Sequence, residues 1–435
     1  MSKSVEEVVQ GSCRLPCLTG EQIPADDAAR FVLRGSFGRS GRVVDSITQA
    51  RESVHENSLS CPTQYSSTQA LGAPPAAHFR FITAIPQNVC AGSGCFVGIR
   101  TLTQGLRELG VEIELVTPKL HLVPYTASRI LFNHTLGRSA FQGDATVGFD
   151  LDGYHLAGKG TAPHIAAIKG VLGDAVRFEK GFTRASMALQ ARLEMLHARR
   201  ADRVITVSRY CADRIGELYG VRNVIVVPEL IDLAAWRKLL AANPPPMATG
   251  RFTVLCVCRF YPRKRVELLL RAAALLTRRI PELEVRIVGG GPDALRLHRL
   301  AQELHLQRTV HWVGNATADS LACEYNRADV FCLPSVQEGF GIVFLEAMAA
   351  GKPIIAARAA AVPEVVELGL LVEPENSEAI ADAITVIYGN SGLRNHLAAS
   401  GQVLVRRYEM KRVAARFLRA CLESSAHKEH SHEPQ

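Results

Sequence analysis

The chain of 435 residues has no apolar run close to the ~20 residues that a membrane-spanning helix needs. Its first ten residues, MSKSVEEVVQ, contain acidic side chains where a secretory signal has a positive segment and an apolar core. Both absences predict a cytoplasmic protein. Aromatic residues are few, at 6%, and no nucleic-acid-binding module is visible, so the net charge of +8 favours a phosphorylated ligand or an anionic lipid over nucleic acid.

Cysteine pairs at metal or disulfide spacing are also scarce. The eleven cysteines are scattered through apparent strands, which is how small core residues are distributed. Cys13 and Cys17 have no second Cys/His pair at zinc spacing. We therefore expect no bound metal and no disulfide framework.

The length of the chain predicts two domains with a remainder. Within the first 77 residues, the stretch 52–77 is rich in Ser, Thr, Gln, Pro and Ala and has little apolar periodicity, which predicts a poorly ordered leader. Three prolines and a glycine in residues 243–250 predict a linker. The expected parts are a leader (1–77), two Rossmann-like domains (78–245 and 250–394), a C-terminal helix that returns to the first domain (395–422) and a flexible tail (423–435).

Strand and helix patterns alternate in both halves. In the first half, an apolar run at 79–85 precedes a predicted glycine loop at 88–95 and a predicted helix at 97–109. In the second half, a strand is predicted at 252–258 and a helix at 266–278. The pattern predicts two successive parallel α/β domains with a ligand cleft between the carboxyl ends of their strands.

Two glutamates, Glu338 and Glu346, are separated by seven residues in the segment PSVQEGFGIVFLEAMAAGKPIIA. Gly339 and Gly341 stand between a predicted strand and helix, where glycines allow close backbone approach and a helix N-terminus attracts phosphate. Solvated surface glutamates are the ordinary alternative, but Glu346 lies in an apolar stretch where an unpaired charge is costly. The segment resembles the E-x7-E signature of glycosyltransferase family 4, the retaining nucleotide-sugar enzymes of GT-B fold.

The resemblance implies a GT-B fold, with two Rossmann-like domains, the active site in the interdomain cleft, a nucleotide-diphosphate sugar as co-substrate and no cofactor. It implies that Glu338 positions the donor sugar and that Glu346 holds the ribose hydroxyls. The stretch CRFYPRKRVELLLRA resembles the family element in which an Arg and a Lys hold the donor diphosphate, here Arg259 and Lys264. Two cations suit a leaving group that gains negative charge as the glycosidic bond breaks.

In the first half, AGSGC resembles the glycine loop that follows the family's first strand. Gly92 and Gly94 are the candidates for close approach to the donor phosphates, and a tight turn without a ligand is the alternative. The family histidine near the donor sugar aligns with Lys169, which can hydrogen-bond a sugar hydroxyl or an acidic acceptor. The family element VPNGVD reads VPELID, so Glu229 replaces its polar turn. These departures predict an unusual donor preference.

Asp150 and Asp152 form a D-x-D pair, which is a metal-nucleotide signature in the other large glycosyltransferase fold. Here the pair lies midway through a first domain whose partner domain already supplies cations, so we expect it to hold no metal. Asp152 or His155 can instead line the acceptor pocket, and a structural DLDG turn is the equal alternative.

The stretch 180–203 is predicted to be a helix with six basic residues against Glu194 and Asp202. It can lie on an anionic membrane surface, as in family members with lipid-linked acceptors, which would place the protein on the inner membrane face. The alternative, favoured by the spacing of its apolar residues, is a surface helix packed on its own domain.

The sequence as a whole predicts a retaining glycosyltransferase that moves a sugar from a UDP- or GDP-sugar to a hydroxyl of a glycan or lipid-linked acceptor. We expect it to act in polysaccharide or glycolipid biosynthesis. A nucleotide-sugar epimerase on the same scaffold and a non-catalytic nucleotide-sugar-binding protein are the alternatives.

Overall fold

The computed structural model describes residues 77–86, 89–119, 125–136, 141–160, 162–245 and 250–423. The predicted leader except residue 77, the tail beyond residue 423 and part of the predicted linker lie outside these residues, as do Cys13 and Cys17. The described part contains two six-stranded sheets in which every strand pairs with its neighbours in parallel. The predicted fold class, α/β with two parallel sheets, is confirmed.

The first sheet has the strand order β2-β1-β3-β4-β5-β6. Its strands are β1 (His78–Ile82), β2 (Glu112–Val116), β3 (Ala145–Phe149), β4 (His164–Ile168), β5 (Arg203–Thr206) and β6 (Val224–Val226). Sequence patterns missed β3, because Gly148 lowers its strand propensity. The glycine is nevertheless required, since a Cβ at this position would lie 2.0 Å from the carbonyl oxygen of Asp152.

The second sheet has the order β12-β11-β10-β7-β8-β9. Its strands are β7 (Phe252–Val257), β8 (Leu283–Val288), β9 (Val310–Gly314), β10 (Val330–Leu333), β11 (Ile354–Ala357) and β12 (Leu370–Val372). Strands β7, β10 and β11 are buried over their whole length, because helices cover both faces of a parallel sheet.

Helices connect the strands of both sheets. They are α1 (Val89–Glu108), α2 (Tyr125–Thr135), α3 (Leu172–Ala175), α4 (Gly181–Arg200), α5 (Arg209–Tyr219), α6 (Leu233–Ala242), α7 (Val266–Leu276), α8 (Ala294–Glu303), α9 (Ala318–Arg327), α10 (Ile342–Ala349), α11 (Val362–Val365), α12 (Ser377–Gly389), α13 (Ser391–Leu404) and α14 (Met410–Leu422). Short 3-10 turns occur at Val176–Phe178, Pro262–Lys264 and Val405–Tyr408. Within the described ranges, no helix is both long and apolar enough to span a bilayer.

The last described residues form two helices, α13 and α14, where one helix was predicted over 395–422. The last of them, α14, packs on α1 beside the first sheet. A Cβ on Gly105 of α1 would lie 2.8 Å from Met410 and 3.0 Å from Ala414, so a glycine lets the two helices approach closely. The Phe417 ring of α14 lies 6.3 Å from the Phe81 ring of β1.

Helix α6 packs on helices of the second sheet, although it precedes the predicted boundary at residue 245. The Trp236 ring meets the Tyr325 ring of α9 edge to face at 5.6 Å, and Asn326 donates a hydrogen bond to the Leu240 carbonyl at 2.8 Å. The chain crosses between the sheets just before α6 and again before α14. These crossings are hydrogen-bonded to each other: Ile231 N–H donates to the Tyr408 carbonyl at 2.9 Å.

Each sheet has a point where successive connections run in opposite directions. In the second sheet it lies between β7 and β10, and in the first sheet between β1 and β3. Such a topological switch point opens a crevice at the carboxyl ends of its strands, which is where α/β proteins bind ligands. Arg259 follows β7 and Glu338 follows β10, so the fold brings these two predicted site residues to one crevice.

Candidate active site

The cationic side of the crevice consists of Arg259 and Lys264. Arg259 comes two residues after β7, and its buried Nε has no hydrogen-bond partner among the described residues. Lys264 ends the 3-10 turn Pro262–Lys264, and its Nζ lies 2.5 Å from Oε1 of Glu338. Both side chains of this ion pair are largely buried, at 13% and 8% exposure. The crevice therefore holds one guanidinium with an unused donor and one ammonium oriented by a carboxylate.

Two of three consecutive glycines, Gly289 and Gly291, hold the turn after β8 against the backbone on both sides of Arg259. A Cβ on Gly289 would lie 2.0 Å from the Cys258 carbonyl oxygen, and a Cβ on Gly291 would lie 2.7 Å from the Phe260 nitrogen. Gly289 also has φ +121°, which side-chain-bearing residues rarely adopt. The turn after β8 thus packs directly against the residues on both sides of Arg259, and only glycine permits that distance.

The loop between β10 and α10 carries Glu338. Gly341 ends it with φ +94°, which favours glycine, and serves as the N-cap of α10. A Cβ on Gly339 would lie 2.7 Å from the carbonyl oxygen of Lys169, which belongs to the first half of the chain. The loop is therefore pressed against the carboxyl edge of β4.

Glu346 lies one turn into α10 and is half-buried. The Tyr325 hydroxyl donates to its Oε2 at 3.0 Å, and Trp236 Nε1 donates to its backbone carbonyl at 3.2 Å. Burial raises the pKa of the Glu346 carboxyl to about 7, against the opposing effect of the Tyr325 hydrogen bond. Within the described residues no donor reaches its other oxygen, Oε1, which is left for a ligand.

The two halves are joined beside this loop by polar contacts that sequence patterns did not indicate. Ser208 Oγ donates to the Gly339 carbonyl at 2.8 Å. The Glu364 carboxylate accepts the backbone N–H groups of Arg209 at 2.8 Å and Tyr210 at 2.7 Å. Glu364 thereby caps the N-terminus of α5 from the opposite half of the chain, where a carboxylate is favourable. A short sequence motif cannot predict such a cap, because the two partners are 155 residues apart.

The predicted glycine loop at 88–95 is wrong: Gly92 and Gly94 lie inside α1, which begins at Val89. A helical glycine costs only ~1 kcal/mol relative to alanine, and tertiary packing of the apolar face of α1 exceeds that cost. A Cβ on Gly94 would meet nothing within 4 Å, so its surroundings are open.

Asp152 does not line a pocket, contrary to one of the two readings of the DLDG turn. Its side chain is 0% exposed, and Arg129 binds both its oxygens, with Nε 2.9 Å from Oδ1 and Nη2 3.0 Å from Oδ2. The Ala84 N–H also donates to Oδ2 at 2.7 Å. Asp152 is therefore a structural residue, and its partner 23 positions away could not be inferred from spacing.

Two other predicted residues of this region are Asp150 and His155. Asp150 has φ +54°, accepts the Lys169 N–H at 2.9 Å, and has a pKa that burial raises above its ordinary value. His155 is half-buried, with Nε2 3.2 Å from Nε2 of His134. Asp150 and Asp152 therefore share Arg129, at 3.9 Å and 2.9 Å, and of the residues predicted in the first half Lys169 is the one whose backbone contacts the Glu338 loop.

Part of the chain is similar to known glycosyltransferases. Residues 242–403 match the family model described as glycosyl transferases group 1. The chain is 33% identical over 205 residues to a GDP-mannose-dependent alpha-(1-6)-phosphatidylinositol monomannoside mannosyltransferase of Mycolicibacterium smegmatis, covering 42% of this chain and 52% of that protein. It is 32% identical over 237 residues to a D-inositol 3-phosphate glycosyltransferase of Actinosynnema mirum, covering 51% and 57%. The chain thus spans about half the length of these curated relatives.

Solved structures resemble the chain over most of its length. Sucrose-phosphate synthase from Thermosynechococcus elongatus superposes with a TM-score of 0.67 and 21% identity, covering 81% of this chain and 100% of that one. WaaG, a glycosyltransferase involved in lipopolysaccharide biosynthesis, superposes with a TM-score of 0.59 and 16% identity, covering 79% and 98%. At these identities the likeness establishes the fold alone. The chain therefore has the GT-B fold, and its residues 242–403 are similar to the glycosyl transferases group 1 family.

Proposed function

We propose that the protein is a retaining glycosyltransferase that uses a UDP- or GDP-sugar as donor and a hydroxyl of a glycan or lipid-linked molecule as acceptor. The observation that supports this most is the pairing of Lys264 with Glu338 beside the unpartnered Nε of Arg259, at the switch point of the second sheet. Largely buried cations at the edge of a crevice are suited to a ligand with several negative charges, such as a nucleoside diphosphate.

In the proposed reaction, the bond between the sugar C1 and the diphosphate oxygen breaks, and a bond from C1 to the acceptor oxygen forms on the same face. The acceptor proton passes to the leaving diphosphate oxygen, so no side chain has to act as a nucleophile. Arg259 and Lys264 stabilise the charge that develops on the diphosphate. Glu338 orients Lys264 and faces the donor sugar, and Glu346 offers Oε1 to the ribose hydroxyls.

The nature of the acceptor is suggested by the names of the relatives and by one surface. The names of the relatives contain phosphatidylinositol monomannoside and D-inositol 3-phosphate, and both molecules carry an inositol phosphate. Helix α4 exposes Phe182 (79%) and Leu189 (44%), seven residues apart on one helix face, next to exposed Lys180, Arg184 and Arg192. Apolar side chains among cations suit an anionic membrane surface, so we place the acceptor in glycolipid or polysaccharide synthesis at the inner membrane face.

Incubation with labelled UDP- and GDP-sugars and a mixed extract of glycans and lipids tests the proposal. Transfer yields labelled acceptor and free nucleoside diphosphate in equal amounts. A labelled donor converted to a different nucleotide sugar without any acceptor would indicate an epimerase. Donor that binds and is recovered unchanged would indicate a binding protein, and either result would replace the proposed function.

A further inference from the structure

A buried ion pair lies at the carboxyl edge of the first sheet, between Lys169, which follows β4, and Glu229, which follows β6. Lys169 Nζ is 3.0 Å from Glu229 Oε2, and the side chains are 7% and 5% exposed. An ammonium group has three donors, and within the described residues Glu229 is the one partner of Nζ. Two donors of a nearly buried ammonium are thus available to a ligand.

The surrounding backbone is shaped to hold this pair. The Glu229 carboxylate rests on Gly98 of α1, where a Cβ would come within 2.6 Å of Oε2 and 3.1 Å of Oε1. The backbone N–H of Lys169 is fixed by Asp150 Oδ1 at 2.9 Å. Burial and the carboxylates of Asp150 and Glu229 raise the pKa of the Cys95 thiol, one turn before Gly98, to about 12. The pair therefore sits where β3, β4, β6 and α1 converge.

The same pair borders the proposed donor site. The Lys169 carbonyl touches the backbone at Gly339, the residue that follows Glu338. The Lys264–Glu338 pair of the second half and the Lys169–Glu229 pair of the first half therefore meet across one loop. A donor whose diphosphate lies on Arg259 and Lys264 would extend its sugar from that loop toward Lys169.

Stability gives little reason for this pair, because desolvation offsets most of the attraction between buried charges, and apolar residues of similar volume are often as stable. Ionisable side chains buried at a cleft are more typical of a functional site. Glu229 leaves Lys169 its N–H donors while it cancels the positive charge. An unpaired ammonium would bind a carboxylate strongly. The Lys264–Glu338 pair has the additional cation Arg259 beside it, which suits a diphosphate. The Lys169–Glu229 pair instead has the Asp150 carboxylate beside it, which favours hydroxyl groups over a further carboxylate.

We propose that the Lys169–Glu229 pair selects the donor sugar: Lys169 donates hydrogen bonds to a hydroxyl of a neutral hexose, and Glu229 keeps it from binding the carboxylate of a hexuronic acid. This inference rests on the proposed function, since it requires a nucleotide sugar in the cleft. The pair acts on specificity, and no bond is made or broken at it.

Calorimetric binding of two donor pairs tests the proposal. UDP-glucose and UDP-glucuronic acid differ only at C6, as do GDP-mannose and GDP-mannuronic acid. The wild type is expected to bind the hexose of one pair at least about tenfold more tightly than its uronate. Glu229→Gln removes one charge at nearly constant volume and is expected to shift that ratio toward the uronate by about tenfold or more. Affinity for UDP or GDP alone should stay within about twofold.

Two further variants complete the test. Lys169→Met/Glu229→Met removes both charges together, which a buried pair tolerates, and is expected to lose hexose affinity without gaining uronate affinity. The control Glu114→Gln breaks the exposed Arg80–Glu114 pair, 2.8 Å long, at the edge of the same sheet and should leave the ratio unchanged. The inference is overturned if neither Glu229→Gln nor Lys169→Met/Glu229→Met changes the ratio of hexose affinity to uronate affinity while UDP or GDP still binds. A wild-type protein that binds neither UDP nor GDP overturns the proposed function itself.

Discussion

At the scale of single residues, the crevice is defined by which charges have partners and which do not. Lys264 is held by Glu338, whereas the Nε of Arg259 is buried without a partner among the described residues. A buried donor without a partner costs free energy in the folded protein, and an anionic ligand removes that cost. Arg259 is therefore the residue whose loss should affect the ligand most and the fold least.

Replacing Arg259 with alanine is expected to lower turnover about a hundredfold, because the loss of one preorganised charge contact typically costs ~3 kcal/mol in the transition state. The melting temperature should not fall, since the replacement removes an unpartnered buried atom. Steady-state kinetics with the labelled donor measures the effect. Arg278→Ala, an exposed position in the same half, serves as the control. An Arg259→Ala variant with wild-type turnover would exclude Arg259 from the site.

Chelation should leave activity largely intact if the side-chain cations neutralise the diphosphate. The D-x-D pair is poorly placed to hold an ion, because Asp152 is bound by Arg129 through both oxygens and Asp150 accepts the Lys169 N–H. Turnover measured before and after EDTA treatment tests this. Activity that disappears with EDTA and returns with Mg²⁺ or Mn²⁺ would require a metal in the reaction.

Glu194 of α4 is expected to make stability depend on pH. Its Oε2 accepts the Leu172 N–H at 2.8 Å and the Tyr219 hydroxyl at 2.5 Å, while its buried Oε1 has no partner among the described residues. Burial, reinforced by Asp150, raises the pKa of Glu194 from 4.5 to about 8. A raised folded-state pKa means that the protonated form contributes stability below pH 4.5, and that this contribution is lost as pH rises through about 8.

The free energy of unfolding of the wild type should therefore fall between pH 5 and pH 9 by more than that of Glu194→Gln, which keeps a neutral side chain. Urea denaturation at the two pH values measures the difference. The exposed replacement Glu303→Gln should leave the change in unfolding free energy between the two pH values as it is in the wild type. If the wild type and Glu194→Gln show the same change in unfolding free energy between the two pH values, then Glu194 ionises in the folded protein at no cost in stability.

At the scale of secondary-structure elements, sequence patterns predicted strands and helices where apolar periodicity was strong and failed where glycine interrupted it. The strand β7 and the helix start after Gly341 were predicted within a residue or two. The strand β3 and the first turns of α1 were not, because Gly148 in β3 and Gly92 and Gly94 in α1 lower the local propensities that the sequence patterns follow.

Helix α4 carries the prediction about membranes. Its exposed Phe182 and Leu189 and its exposed cations are expected to make the protein sediment with anionic vesicles at low salt. Binding should weaken as ionic strength rises, because exposed charges are screened over ~8 Å at physiological salt. Phe182→Ser should reduce sedimentation, whereas Leu295→Ser, 67% exposed on α8, should not. Equal binding by both variants would assign α4 to ordinary domain surface.

At the scale of the whole molecule, the presence of two successive parallel sheets could be predicted from the alternation of strands and helices and from the motifs at strand ends. The pairing of the halves did not, since it depends on residues far apart in sequence, such as Glu364 with Arg209 and Lys169 with Glu229. Lys169 and Glu229 were each visible as departures from the family pattern. Only the structure places them 3.0 Å apart.

The central claim is that the switch point of the second sheet binds the nucleoside diphosphate of a sugar donor. A crystal structure of the protein soaked with UDP or GDP tests it most directly. The account predicts a diphosphate within hydrogen-bonding distance of Arg259 Nε and Lys264 Nζ, and a ribose whose hydroxyls reach Oε1 of Glu346. A nucleotide bound elsewhere, with Arg259 still without a partner, would contradict it.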